Sequence, residues 1–199
     1  FALTNFRWGM IAMFIYAISF GAMFFGSLLF MVEVWQWSIL KAGFAIAPGP
    51  ALVAILAAVF GKLALRVGQR PLILTGGVLL TVSAIYWLIA LSFKPNYWVG
   101  FVPPFTIVAI SIALIFPQVT SIAAQALPAD RSGVGSAAIQ SVRQFGQTFG
   151  VALTLAFVGN TSYARRELYG HFDQIWWTLA ILGLLTTLCG VPMAVTKKD

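Results

Sequence analysis

Apolar residues run along this chain in six long blocks, separated by short polar joints. The blocks cover approximately 8–32, 39–60, 72–93, 98–126, 133–159 and 174–195. A helix of about 20 residues crosses a hydrocarbon core of about 30 Å, so each block is long enough to span a membrane. The pattern predicts an all-α fold, an integral membrane bundle of six helices, with joints too short to hold a soluble domain. Pro48 and Pro50 are expected to interrupt the second span, and Phe116-Pro117-Gln118 the fourth.

The fifth block carries a second pattern inside the apolar one, in the stretch SAAIQSVRQFGQTFGVAL at 136–153. At about 100° per residue, Ser136, Gln140, Arg143, Gln144, Gln147 and Thr154 fall on one strip roughly 100° wide. Ala138, Val142, Phe145, Phe149, Ala152 and Ala156 occupy the opposite side. A polar strip running the membrane length of a helix is expected to face other helices or a water-filled cavity, not lipid. Arg143 lies about 15 Å into the span at 1.5 Å per residue. An unpaired cation near the midplane costs about 2.5–3.5 kcal/mol, so such a residue is a functional candidate. The competing structural reading is that Arg143 binds helix-end carbonyls and pins the bundle. Gly146 and Gly150 form a small-xxx-small pair of the kind that packs helices closely.

Composition fits the pattern. The chain of 199 residues is 60% hydrophobic and 9% charged, with a mean hydropathy of +0.93. It begins at Phe1, shows no secretory signal peptide, and reads as a piece of something longer. The formal charge of +7 is accounted for by basic loops facing anionic lipid, and no nucleic-acid motif is present. With six spans, the termini and the second and fourth joints share a side holding Arg7, Lys62, Arg66, Arg70, Arg131, Lys197 and Lys198. The other side holds Lys41, Lys94, Arg165 and Arg166. The positive-inside rule then places both termini in the cytoplasm.

Chemistry-bearing groups are sparse. Cys189 is the single cysteine and His171 the single histidine, so no disulfide, metal site or cofactor is expected. His171 reads as a solvated residue of the outer loop YGHFDQ. No GxSxG, HExxH or P-loop pattern occurs, which leaves a membrane enzyme without a constellation. The five acids, Glu33, Asp130, Glu167, Asp173 and Asp199, all fall at span ends or in joints.

The joint GKLALRVGQR, residues 61–70, resembles the signature between the second and third helices of each half of the major facilitator superfamily. Gly61, Leu63, Ala64, Arg66, Gly68 and Arg70 match it, whereas Leu65 stands where the family has aspartate and Gln69 where a base is common. WSILKAGFAIAPGPALVAILAAVFGKLA and LPADRSGVGSAAIQSVRQFGQTFGVAL are similar to the second and penultimate spans of the fourteen-span drug:proton antiporter branch. The matches occur in order along the whole chain. The resemblance implies half of a major facilitator fold, built as two three-helix inverted repeats, with the amino-terminal half missing. It implies alternating access, proton-coupled efflux of small amphipathic or cationic compounds, and a bacterial plasma (inner) membrane. Spans one, two, four and five would line the cavity, making Phe20, Phe24 and Gln118 candidates beside Gln140, Arg143, Gln144 and Gln147. The proton carrier would be a carboxylate of the missing half or, alternatively, Glu33. The rival reading is a noncatalytic membrane scaffold or sensor derived from a transporter, favoured by Leu65.

Overall fold

The computed structural model describes residues 2–125, 132–159 and 164–193. All regular structure among them is helical. The first span is α1 (Ala2–Leu29), which widens into a π-helical turn at Phe30–Val34. The second span is α2 (Ile39–Ile46) followed by α3 (Pro48–Val67), and the third is α4 (Gln69–Ala90). The fourth opens with a π-helical turn at Tyr97–Phe101 and continues as α5 (Val102–Gln125). The fifth is α6 (Ser132–Val158) and the sixth α7 (Arg165–Gly190). Five of the six are long and apolar enough to cross a membrane. The other is α6, whose Arg143 and three glutamines lower its hydropathy.

Several joints are more helical than the apolar blocks suggest. The turn expected over 61–71 shrinks to Gly68, because α3 continues through Lys62–Val67 and α4 begins at Gln69. Gly61 and Arg66 are therefore helical. Gly68 alone breaks the helix, with φ 84 and ψ 169, a region that side chains exclude. Similarly, α7 starts at Arg165, so His171 lies on a helix and not in an outer loop. The apolar pattern tracks the hydrocarbon layer, whereas a helix continues through the headgroup region until its backbone bonds have another outlet.

The prolines act differently from expectation too. Pro48 takes the first position of α3, where its missing N–H is no loss. Ala47 keeps helical angles and donates to the Gly43 carbonyl at 3.1 Å, so the second span is jointed but not broken. Pro117 sits inside α5 without ending it. Asp130, Arg131, Lys197, Lys198 and Asp199 lie outside the described residues.

Neighbour relations follow a two-fold rule, in which spans one, two and three exchange with four, five and six. The packing of α1 on α6 has its counterpart in α5 on α3, and that of α4 on α5 in α7 on α1. The pair α4 and α7 maps onto itself, and its crossing shows the symmetry in detail. A methyl on Gly77 would strike Thr187, and one on Gly183 would strike Thr81. The two threonine hydroxyls each donate back along their own helix, Thr81 to the Gly77 carbonyl at 3.1 Å and Thr187 to that of Gly183 at 3.0 Å. This is the pairing expected of two three-helix repeats related by a two-fold axis.

One end of the bundle is tied by buried or half-buried aromatic residues whose polar tips reach backbone carbonyls. Trp35 Nε1 donates to Ser92 O at 3.0 Å, Tyr97 Oη to Ala45 O at 2.8 Å, and Tyr169 Oη to Leu91 O at 3.0 Å. Arg165 Nε reaches Val34 O at 2.7 Å across the ring face of Phe93. Beneath them, Trp87 and Trp176 pack at 4.8 Å between ring centroids.

Candidate functional site

The rotation of α6 decides which polar residues face inward, and glycine decides the rotation. Gly146 abuts the Phe14 carbonyl and the Ala17 methyl, Gly150 abuts the Ile18 carbonyl, and Gly21 of α1 abuts the Gln147 carbonyl. Thr154 extends this seam, its hydroxyl donating to Gly150 O at 3.1 Å and Ala22 O at 3.4 Å. Two backbones in such contact fix the helix about its own axis. The glycine seam lies to one side of the polar strip, so the strip is split lengthwise.

Arg143 and Gln147, on the edge next to the seam, are half-buried and line a cavity of about 330 Å³ between α1, α3, α5 and α6. Gln140 and Gln144, on the far edge, are exposed and flank a separate shallow groove with Ser141 and Thr148. The cavity wall is otherwise apolar. Phe20, Met23 and Phe24 come from α1, Gly49, Pro50 and Val53 from α3, and Phe105, Ile112 and Phe116 from α5. Phe20 stacks on Phe24 at 6.0 Å and meets Phe116 edge-on at 5.6 Å. Gly49 is needed because any side chain there would collide with the Phe105 ring.

Among the described residues, Arg143 holds the only formal charge on this wall. Its Cζ lies 5.7 Å from the centroid of the Phe116 ring, within reach of a cation–π contact. Its Nε is buried and has no hydrogen-bond partner among the described residues. Gln118 is 3% exposed and its Nε2 likewise lacks a partner, but it does not line the cavity. Glu33 is exposed in the π-helical turn at the aromatic end, where its backbone carbonyl accepts from Gln36 Nε2 at 2.6 Å.

The sequence profile of the Major Facilitator Superfamily matches residues 1–151. The chain belongs to that superfamily. It is also similar to the cephamycin export protein CmcT of Amycolatopsis lactamdurans, with 25% identity over 186 residues. That alignment covers 92% of this chain and 38% of CmcT, so the chain spans well under half the length of the relative it matches. Superfamily membership, with five helices long and apolar enough to cross a membrane, makes the chain part of an integral membrane protein.

Within a major facilitator frame, the signature residues occupy one end of the bundle. Arg66 is exposed on the last turn of α3, and Arg70 is half-buried at the start of α4 with its Nε unpartnered. Gln69, standing where the superfamily often has a base, donates to Ser121 Oγ on α5 at 2.8 Å. Leu65, in the aspartate position, is 86% exposed. Sequence reasoning did not single out Phe105 or Phe116 as cavity residues, because both lie on a face of α5 well away from its polar positions Ser111 and Gln118. It also passed over the buried link from Tyr16 Oη to Ser111 Oγ at 2.9 Å, continued from Ser111 Oγ to Gly76 O at 2.7 Å.

Proposed function

We propose that this chain is the carboxy-terminal six-span half of an exporter of amphipathic or cationic drug-like compounds. It works by alternating access, is coupled to protons, and belongs to the fourteen-span drug:proton antiporter branch. The observation that carries the reading is the cavity in which Arg143 and Gln147 stand among aromatic side chains. Large apolar walls with a few convergent polar groups are the usual make-up of a small-molecule site. The export protein named above supports the direction of transport.

An amino-terminal half would close the cavity and cover the groove of Gln140 and Gln144, and the two halves would rock about the site between them. Proton coupling needs a carboxylate that burial can tune. The cavity wall has none, so the carrier is assigned to the other half, with Glu33 at the aromatic end of α1 as the alternative. The setting is a bacterial plasma membrane with both termini cytoplasmic.

The second reading, a scaffold or sensor that has lost transport, draws on Leu65 in place of the signature aspartate. The cavity lined by Arg143 weighs against it, since a scaffold gains nothing from a half-buried arginine. The test is reconstitution into proteoliposomes with an imposed pH gradient. Full-length protein is expected to move a fluorescent amphipath only with the gradient, whereas residues 1–199 alone insert but do not transport. No movement of the amphipath by the full-length protein, with or without the gradient, would favour the scaffold, and transport by the 199-residue chain would refute the two-half reading.

A further inference from the structure

We infer that this cavity selects amphipathic compounds bearing an anionic group, a carboxylate or its equivalent, with Arg143 as the anion-binding residue. The inference rests on the cavity being the substrate site; of the amphipathic or cationic compounds proposed above it keeps the amphipathic ones, gives them an anionic group, and excludes the cationic.

Charge, unmet hydrogen-bonding capacity and shape all point to the same ligand. Among the described residues Arg143 is the single formal charge on the wall, and a guanidinium stays protonated in a protein. No carboxylate pairs with it among the described residues. The acids described, Glu33, Glu167 and Asp173, are all exposed, and none lines the cavity. A planar guanidinium offers a fork of donors matched to a carboxylate, and Arg143 lines the cavity half-buried, with only its Nε shielded inside the protein. Gln147, one turn further along α6 on the same wall, supplies a second donor.

Aromatic walls on their own would favour a cation through their ring faces. Phe116 is already covered by Arg143, and the resident cation repels any other brought close in a low-dielectric space. What remains of Phe20, Phe24 and Phe105 contacts an apolar body of any charge. The cavity of about 330 Å³ holds a compound the size of a small polycyclic molecule. An anion near Arg143 would neutralise the half-buried cation, so substrate and site stabilise each other where neither is stable alone in the membrane interior.

Three probes with one body and different heads separate the possibilities: pyrenebutyrate, pyrenebutyramide and pyrenebutylamine. Their binding is measured to the full-length transporter in nanodiscs, comparing each probe between wild type and variants so that partition into lipid cancels. Arg143→Gln is expected to weaken pyrenebutyrate about tenfold or more, the scale of a charge-assisted contact. It should leave the amide nearly unchanged and the amine unchanged or tighter. Arg143→Lys should keep most of the preference, and unchanged amide binding shows that the cavity is intact in each variant. Equal pyrenebutyrate affinity in wild type and Arg143→Gln overturns the inference, as does tighter binding of the amine by wild type. In those outcomes the cavity still stands as a substrate site. If wild type binds none of the three, the cavity reading itself fails and this inference with it.

Discussion

The backbone of Gly150 lies directly against the carbonyl oxygen of Ile18, where even a methyl group would find no room. This contact, repeated one turn earlier by Gly146 against Phe14, holds α6 on α1 and aims Arg143 and Gln147 into the cavity. Gly150→Ala is therefore expected to push the helices apart and lower stability by about 1–3 kcal/mol, the usual range for overpacking. Gly61→Ala is the control. Its added methyl meets nothing within 4 Å on a helix, so stability should rise by roughly 0.5–1 kcal/mol from the reduced freedom of the unfolded chain. Thermal unfolding in detergent reads both. If Gly150→Ala melts like wild type, the seam does not set the helix rotation.

Gly68 is the whole of the turn between the second and third spans. Its φ of 84 and ψ of 169 belong to a region nearly closed to residues with a side chain. Gly68→Ala is expected to cost about 1–3 kcal/mol in strain. It should also disturb the nearby hydrogen bond from Gln69 to Ser121 that ties this joint to α5. Gly170→Ala, at an exposed helical position with open space, should be tolerated. The comparison uses the fraction of folded protein recovered by size exclusion, and equal recovery of the two variants would contradict the turn assignment.

Tyr16, Ser111 and the Gly76 carbonyl form a buried polar link through α1, α5 and α4. Ser111→Ala leaves the Tyr16 hydroxyl buried without its partner, a loss of about 1–3 kcal/mol. Tyr16→Phe removes one bond and leaves Ser111 donating to Gly76, which should cost less. The double variant should be more stable than the sum of the two losses predicts, because both members of the pair are then gone. A strictly additive result in a thermal-shift cycle would mean that the hydroxyls do not interact.

Much of the bundle was legible because hydrocarbon thickness imposes one length on every span. The order of the spans and their all-helical character followed from the apolar blocks alone. The joints were less legible: Lys62–Val67 and Arg165–Asp173 are polar enough to read as loops, yet their backbones remain helical. In α6 the strip of Arg143 and three glutamines was visible as a periodicity, but its rotation was not. Periodicity assigns residues to a face without saying which neighbour that face meets. The glycines at 146 and 150 were recognised as a packing pair, and measuring their offset from the glutamines would have separated Arg143 and Gln147 from Gln140 and Gln144. Phe105 and Phe116 had no such signal, since the polar residues of α5 that face inward, Ser111 and Gln118, are buried away from the cavity.

The proposed orientation is open to a direct chemical test. Gly68 and the Gln69–Ser121 bond mark one end of the bundle, and Trp35, Tyr97 and Tyr169 mark the other. Among the described residues Arg7, Lys62, Arg66 and Arg70 belong to the first end, and Lys41, Lys94, Arg165 and Arg166 to the second. That comparison is even, so the bias toward the first end comes from Arg131, Lys197 and Lys198, which lie outside the described residues. Arg165 also counts for less than its charge suggests, because its guanidinium is engaged with Val34 O and the Phe93 ring. The proposed cytoplasmic placement of the Gly68 end therefore rests, by the positive-inside rule, on counting Arg131, Lys197 and Lys198 from the sequence. Cys189 is buried and is replaced by alanine to give a silent background. On that background, Arg66→Cys is expected to react with a membrane-impermeant maleimide in inside-out vesicles, and Lys41→Cys in right-side-out vesicles. Both positions are exposed, so failure to label is not expected from burial. The opposite pattern, with Arg66→Cys labelled only from outside, would reverse the topology and place the aromatic end in the cytoplasm.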